Sequence, residues 1–289
     1  MTFAITTAPV DGGALRVGFR PGKAGAPVVV LVHGITANHL SWSMVADQLG
    51  EDATLLAPDL RGRAGSASLP GPFGMANHAL DLLAVLNDIG VRRATIVGHS
   101  MGAYAAAAFA VNHADRVAGL VLVDGGVSFA TVPDGADIDA VLTALLGPTM
   151  KRLSMTFADV DAWLAFWKAH PSLQNWNDAI ESYVLADLAG VPPQLRSSCN
   201  IEAIRADGAD TLGAGGQFFR RLMRPTPWLR APRGLLNQVP GLYPDAVAAQ
   251  ICTEVPALRD MRVDDVNHFT ITMSEHGARV VAAAIRTQL

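Results

Sequence analysis

The segment Gly98-His99-Ser100-Met101-Gly102 places a serine between two glycines, after the apolar run Ala94 to Val97 and before the alanine-rich stretch Ala103 to Ala110. That order reads as strand, sharp turn and helix with a serine hydroxyl at the apex, a nucleophile elbow. Glycine suits both flanks because a crowded, strained turn favours residues without a Cβ. A serine hydroxyl is a poor nucleophile at neutral pH. It needs a base to take its proton and a third group to fix that base's tautomer and balance its charge. Histidine suits the base, since its pKa lies near neutrality. Of the eight histidines, His268 is the candidate: it follows the late strand pattern Asp260 to Val263 through the short loop Asp264 to Asn267. His78, His113, His170 and His276 sit among polar or helical neighbours and read as solvated surface residues, while His99 reads as a local packing or hydrogen-bonding residue.

Charge developing on a carbonyl oxygen under attack needs backbone donors. The amide of Met101, directly after the serine, is one candidate. The amide of Ile35 is the other, in the loop His33-Gly34-Ile35 that follows the apolar run Val28 to Val32. Gly34 lets the backbone approach a ligand closely, and the His33 ring reads as the group that orients the loop. Asp59, in the loop Pro58 to Arg63, reads as a turn-stabilising residue.

The elements that must position these residues alternate β-branched runs with helical patterns up to about residue 125, as in a sheet covered by helices on both faces. Leu15 to Phe19 reads as a hairpin strand entered through Asp11-Gly12-Gly13, and Val28 to Val32 as a strand buried on both faces. Ser41 reads as the N-cap of a helix carrying Trp42, Val45 and Leu49. Thr54 to Ala57 is the next strand, Ala79 to Ile89 the next helix, then the elbow strand and Leu120 to Val123. From Val127 to Leu222 the strand signals give way to helical periods. They return at Pro227 to Leu229 and Asp260 to Val263, with helical patterns at Asp245 to Cys252 and Glu275 to Ile285. The pattern predicts one core, residues 1–126 and 223–289, interrupted by a helical insertion at 127–222.

At 289 residues, half of them hydrophobic and 17% charged, the chain has ample apolar surface for a buried core. A net charge of −4 gives no basic footprint for nucleic acid or an anionic membrane, so the expected partner is a small molecule. Cys199 and Cys252 make neither a disulfide framework nor a zinc cluster and read as reduced thiols. Met1 to Val10 lacks a basic n-region and a long apolar stretch, so a soluble cytoplasmic protein is expected, as monomer or homodimer.

In order and over nearly the whole chain, His33-Gly34-Ile35, Pro58-Asp59-Leu60-Arg61-Gly62-Arg63, Gly98-His99-Ser100-Met101-Gly102 and Val266-Asn267-His268-Phe269 resemble the α/β-hydrolase superfamily. The resemblance implies an eight-stranded, mostly parallel sheet flanked by helices, with the helical insertion after the sixth strand serving as a cap. A serine at the elbow sets the chain apart from the epoxide hydrolases and haloalkane dehalogenases of that superfamily, which carry aspartate there. Esterases, lactonases, thioesterases and carbon–carbon bond hydrolases remain, as does a non-catalytic ligand-binding member of the fold.

In most relatives the triad acid follows the strand after the cap. Here that stretch, Arg230 to Asn237, holds no carboxylate, and Asn237 cannot balance a charge. Asp245 is the next acid, at what reads as a helix start, where a carboxylate has its own structural reason. Other members of the superfamily take the acid from the end of the strand after the nucleophile helix, the position of Asp124. Asp124 is the preferred third member, with Asp245, Asp264, Asp265 and a triad completed by Asn237 as alternatives.

In the insertion, Trp163, Phe166 and Trp167 fall at i, i+3 and i+4, the ordinary apolar stripe of a packed helix, with Trp163 and Trp167 as candidate substrate-binding rings. With Met150, Leu153 and Met155 they predict an apolar ceiling over the site. The expected activity is therefore hydrolysis of carboxylic esters of small to medium hydrophobic substrates by Ser100, His268 and Asp124, with Ile35 and Met101 as the oxyanion hole and no metal or organic cofactor.

Overall fold

The computed structural model describes residues 3–128, 137–146 and 148–289. Eight strands form one sheet in the order β1-β2-β4-β3-β5-β6-β9-β10. They are β1 (Ala4–Val10), β2 (Gly13–Arg20), β3 (Val28–Val32), β4 (Thr54–Pro58), β5 (Ala94–His99), β6 (Val117–Val123), β9 (Thr226–Arg230) and β10 (Leu258–Arg262). The first hairpin is antiparallel and β2 pairs antiparallel with β4; every other pairing in this sheet is parallel. The central strands are apolar on both faces because helices cover both. On one face Leu82, Val85 and Leu86 of α2 (Met75–Asp88) and Ala105, Ala108 and Phe109 of α3 (Met101–Asn112) pack with β3, β5 and β6. On the other, Val45 and Leu49 of α1 (Ser43–Leu49) meet Val281 and Ile285 of α11 (Glu275–Arg286).

Sheet register decides what comes together. Val32 pairs with Gly98, His99 with Val123, and Val123 with Leu229. The carboxyl ends of β3, β5, β6 and β9 are thus level, which sets His33, Ser100 and Asp124 side by side at one edge, where open parallel sheets hold ligands.

Between β6 and β9 run α4 (Ile138–Leu146), α5 (Pro148–Leu153), α6 (Val160–Lys168), α7 (Asp178–Leu185) and α8 (Ile201–Leu212). This insertion also holds a short antiparallel ribbon, β7 (Leu188–Ala189) with β8 (Arg196–Ser197), in a stretch expected to be wholly helical. The expected insertion at 127–222 spans residues 129–136, which lie outside the described residues. Phe157, Trp163, Trp167, Ile180, Val184 and Leu195 form a separate hydrophobic cluster. Phe219 and Leu222, by contrast, pack into the core cluster beside α3. After β9 come α9 (Asp245–Glu254), β10, the four-residue α10 (Thr270–Met273) and α11. Ser41 does not cap α1: its hydroxyl donates to Asn38 O at 2.9 Å inside a preceding 3₁₀ turn that Asn38 caps. No helix among the described residues is long and apolar enough to cross a membrane.

Candidate active site

Ser100 links β5 to α3 with φ 54° and ψ −125°, a left-handed conformation that a non-glycine residue holds at a cost of roughly 1–3 kcal/mol. The neighbouring glycines make the turn possible. A Cβ at Gly98 would lie 2.1 Å from Gly102 O, and one at Gly102 would lie 2.2 Å from Val32 O. Ser100 N donates to Val123 O at 2.9 Å, which fastens the elbow to the end of β6.

Asp124 follows β6, fully buried, with φ 42°. Its Oδ1 accepts from Ala231 N at 3.0 Å, and its Oδ2 lies 2.7 Å from His268 Nδ1. His268 is held from both sides of its own backbone: its N–H donates to Arg233 O at 3.0 Å and its carbonyl accepts from His99 Nε2 at 2.8 Å. Burial, and next the charge of His268, push the His99 pKa well below the ordinary histidine value. A neutral His99 therefore lies 4.8 Å, ring to ring, from His268 without placing a positive charge beside it.

The alternative acids lie elsewhere. Asp245 opens α9 with its side chain 62% exposed and pairs with Arg230 at 2.5 Å and Arg262 at 2.7 Å. Asp264 pairs with Arg262, Asp265 occupies a left-handed turn, and Asn237 accepts from Asn267 Nδ2 at 3.1 Å. Among these candidates Asp124 is the one hydrogen-bonded to His268.

The loop after β3 is set by a buried ring. Leu60 N donates to His33 Nε2 at 2.9 Å, so the ring proton sits on Nδ1, which donates to Gly34 O at 2.8 Å. In a trans peptide the Gly34 carbonyl and the Ile35 N–H point in opposite directions, so fixing the first aims the second. Burial lowers the His33 pKa to about 4, which keeps the ring in this neutral form. A Cβ on Gly34 would lie 3.5 Å from Ser100 Oγ, so this loop adjoins the serine. The Met101 amide belongs to the first turn of α3, where backbone N–H groups have no intrahelical acceptor.

A cavity of about 390 Å³ stands over these groups, within the range of small-molecule sites. Gly34, Ile35, Ser100, Met101 and His268 form its floor; Leu142, Ala144, Tyr183, Gly208, Thr211 and Leu212 reach it from the insertion. Among the described residues its lining contains no Lys, Arg, Asp or Glu.

Trp163 and Trp167 do not line it, which corrects their expected role. Trp163 is fully buried and donates from Nε1 to Val184 O at 2.9 Å, with Phe157 edge-on at 5.0 Å. Trp167 lies beneath the Arg152 guanidinium, 4.8 Å from the ring centroid. The stripe packs the insertion onto itself, and Met150, Leu153 and Met155 also lie outside the cavity lining. Two histidines expected at the surface are buried: His78, paired with Asp207, and His170, which accepts from Ser172 N. Periodicity missed them because a buried polar residue is placed by a partner distant in sequence. Tyr183, Leu142, Gly208 and Leu212 were likewise unmarked, being ordinary helix residues until packing turns them inward. Among the described residues no three His, Cys, Asp or Glu converge as metal ligands would.

A family model described as alpha/beta hydrolase fold matches residues 27–186. A putative carbamate hydrolase, RutD, of Caulobacter segnis is 36% identical over 123 residues, covering 42% of this chain and 46% of the relative. Epoxide hydrolase A of Mycobacterium tuberculosis is 40% identical over 111 residues, covering 37% and 34%. These matches span less than half the length of either curated relative. The crystal structure of E-2-(acetamidomethylene)succinate hydrolase superposes with a TM-score of 0.79 over 98% of this chain and 99% of that one, at 21% identity, a likeness of fold. The family match, the sheet order and the elbow agree: this chain belongs to the alpha/beta hydrolase fold family.

Proposed function

We propose that this protein is a serine hydrolase that cleaves carboxylic esters of small to medium, uncharged apolar substrates, with the insertion as a cap over the site. Ser100 Oγ attacks the ester carbonyl while His268 Nε2 takes the hydroxyl proton, and Asp124 balances the imidazolium through Nδ1. The amides of Ile35 and Met101 hold the oxyanion; one such donor is typically worth ~10²–10³ in rate. Collapse of the tetrahedral intermediate breaks the carbon–oxygen bond, and the leaving alkoxide takes the proton from Nε2. Water repeats the sequence on the acyl-enzyme and restores Ser100.

One observation carries this reading: Ser100 and His268, the latter paired with Asp124, line one cavity whose described lining contains no Lys, Arg, Asp or Glu. A carboxylate or phosphate on the substrate would be desolvated there without a partner, which is costly. The match to a carbamate hydrolase favours a second reading, in which the same machinery expels an amine that His268 must protonate.

A panel of p-nitrophenyl esters of increasing acyl length, with half-esters of dicarboxylic acids and alkyl carbamates alongside, tests both. The expected result is highest kcat/KM on neutral apolar esters, by at least tenfold over the anionic half-esters. Preference for the anionic set, or no ester turnover by the folded protein, would contradict the proposal.

A further inference from the structure

Arg63 has no exposed surface, and the reaction proposed above makes no use of its charge. Its guanidinium divides among three parts of the molecule. Nε donates to Ile35 O at 2.9 Å, and Nη2 lies 3.7 Å from Met101 Sδ. Nη1 donates to Arg61 O at 2.8 Å and pairs with Asp207 Oδ2, on α8, at 2.5 Å. The two residues whose amides face the oxyanion in the proposed reaction thus touch one side chain, and that side chain is anchored in the insertion.

Asp207 is a junction in its own right. Its Oδ1 accepts from Gly74 N at 2.6 Å and its Oδ2 lies 2.9 Å from His78 Nε2, both at the start of α2. Burial acts to raise the Asp207 pKa, but His78 and Arg63 beside it hold the carboxyl well below the usual carboxylate range, so it is ionised. Two further hydrogen bonds run parallel to this link: Asn200 N donates to Gly62 O at 2.8 Å, and Ala64 N to Ser198 Oγ at 3.1 Å. The Ile35 N–H is therefore bracketed by two restrained peptides. Gly34 O is held by His33, and Ile35 O by Arg63.

Resting on the serine-hydrolase reading, we propose that Arg63 is a positioning residue which, with Asp207, ties the oxyanion-binding amides of Ile35 and Met101 to α8. That helix also carries Gly208, Thr211 and Leu212 of the cavity wall, but the bonds at Asn200 and Ser198 hold its start independently, so releasing the ion pair frees the aim of the oxyanion donors and leaves the substrate's apolar seat in place. Arg63 touches no reacting atom and moves no proton. Its effect is geometric, and it falls on the transition state, because the oxyanion exists only there.

The test compares Arg63→Lys with Asp207→Asn in the full chain. Lysine keeps a charge opposite Asp207 but offers a point donor in place of a planar fork, so it cannot hold Ile35 O and Asp207 together. Asparagine keeps an acceptor for Gly74 N while releasing the guanidinium. For each variant, kcat and KM on a p-nitrophenyl ester are measured with the affinities of two probes. An alkyl trifluoromethyl ketone adds Ser100 Oγ to its carbonyl, passes the proton to His268 and leaves an oxyanion on the amides. The matching aliphatic alcohol fills the cavity without an adduct.

We expect kcat and ketone affinity to fall together by roughly ten- to hundredfold in both variants, with KM and alcohol affinity within about threefold of wild type. Unchanged ketone affinity, or a parallel loss of alcohol affinity, would reduce Arg63 to packing and overturn the inference. If wild type itself forms no ketone adduct, the serine reading falls and this inference with it. A normal wild-type adduct with unaltered variants overturns the inference alone.

Discussion

The sheet edge and the insertion each bury an aspartate beside a basic side chain, yet they leave those groups in opposite situations. At the sheet edge, Asp124 is satisfied by Ala231 N and His268 Nδ1, and the far side of the His268 ring faces the cavity. In the insertion, Asp187 takes Arg152, the Ser197 and Ser198 hydroxyls and Ser198 N, while the Arg152 guanidinium is roofed by Trp163 and Trp167. Neither Asp187 nor Arg152 lines the cavity. Burial and pairing are thus common to both clusters and diagnostic of neither; what distinguishes the candidate site is that its histidine lines a cavity.

That contrast is broken most severely at the sheet edge. Asp124→Asn keeps the size and removes the balancing charge, so ester turnover should fall by ~10⁴ while the fold persists. Asp245→Asn, on the exposed start of α9, should change kcat/KM less than twofold. Steady-state kinetics on the two variants check this, and a collapse at Asp245 with near-normal turnover at Asp124 would place the acid after β9.

The insertion should respond in stability. Asp187→Asn leaves the buried Arg152 without its counter-charge and should cost about 3–5 kcal/mol. Trp163→Ala removes a fully buried ring, with a similar cost of about 3–5 kcal/mol. Denaturant unfolding measures both, and for both the acyl-length preference should stay at wild type.

A smaller effect follows pH. His33 titrates near 4 in the folded chain against an ordinary 6.5, because burial disfavours its charged form. The unfolded chain therefore takes up this proton first. His33 contributes its full stability above about pH 6.5 and loses it as pH falls toward 4, for a total of roughly 3 kcal/mol. Urea unfolding between pH 7 and 4.5 should show a slope of this sign, and His33→Gln should lessen it, with buried His99 supplying a share of its own.

The mildest expected change is in selectivity. Leu142 lies on α4, is buried, and lines the cavity. Leu142→Ala should shift preference toward longer or branched acyl groups by roughly three- to tenfold in relative kcat/KM, about the worth of one or two methylenes. An unmoved profile would mean that α4 does not meet the acyl group.

How far sequence reveals each region has the same physical root. Elements around the elbow are written locally: Val28–Val32 is a run of five apolar residues, and the glycines at 98 and 102 are required within a few residues of Ser100. Asp124 could be picked out because the resemblance to the α/β-hydrolase superfamily offers two positions for the acid, and Arg230 to Asn237 lacks a carboxylate. In the insertion, periodicity identified the apolar stripe of α6 but not which body it packs against. Trp163 and Trp167 face the insertion's own core, whereas the cavity wall comes from small or unremarkable residues such as Gly208 and Ala144. Buried charges were the least readable. His78, Arg63 and Asp207 lie far apart in sequence, and only tertiary contact makes them one cluster.

In the serine-hydrolase reading, Ser100, on its strained turn, is a nucleophile activated by His268 and Asp124. A fluorophosphonate tests this directly, because the attacking serine oxygen displaces fluoride and stays bound to phosphorus. Peptide mass mapping after labelling should find one modified residue, Ser100. Labelling should vanish in Ser100→Ala and slow by orders of magnitude in His268→Ala, with both variants folded. Full labelling of Ser100→Ala at another residue, or an unlabelled wild type, would contradict the account.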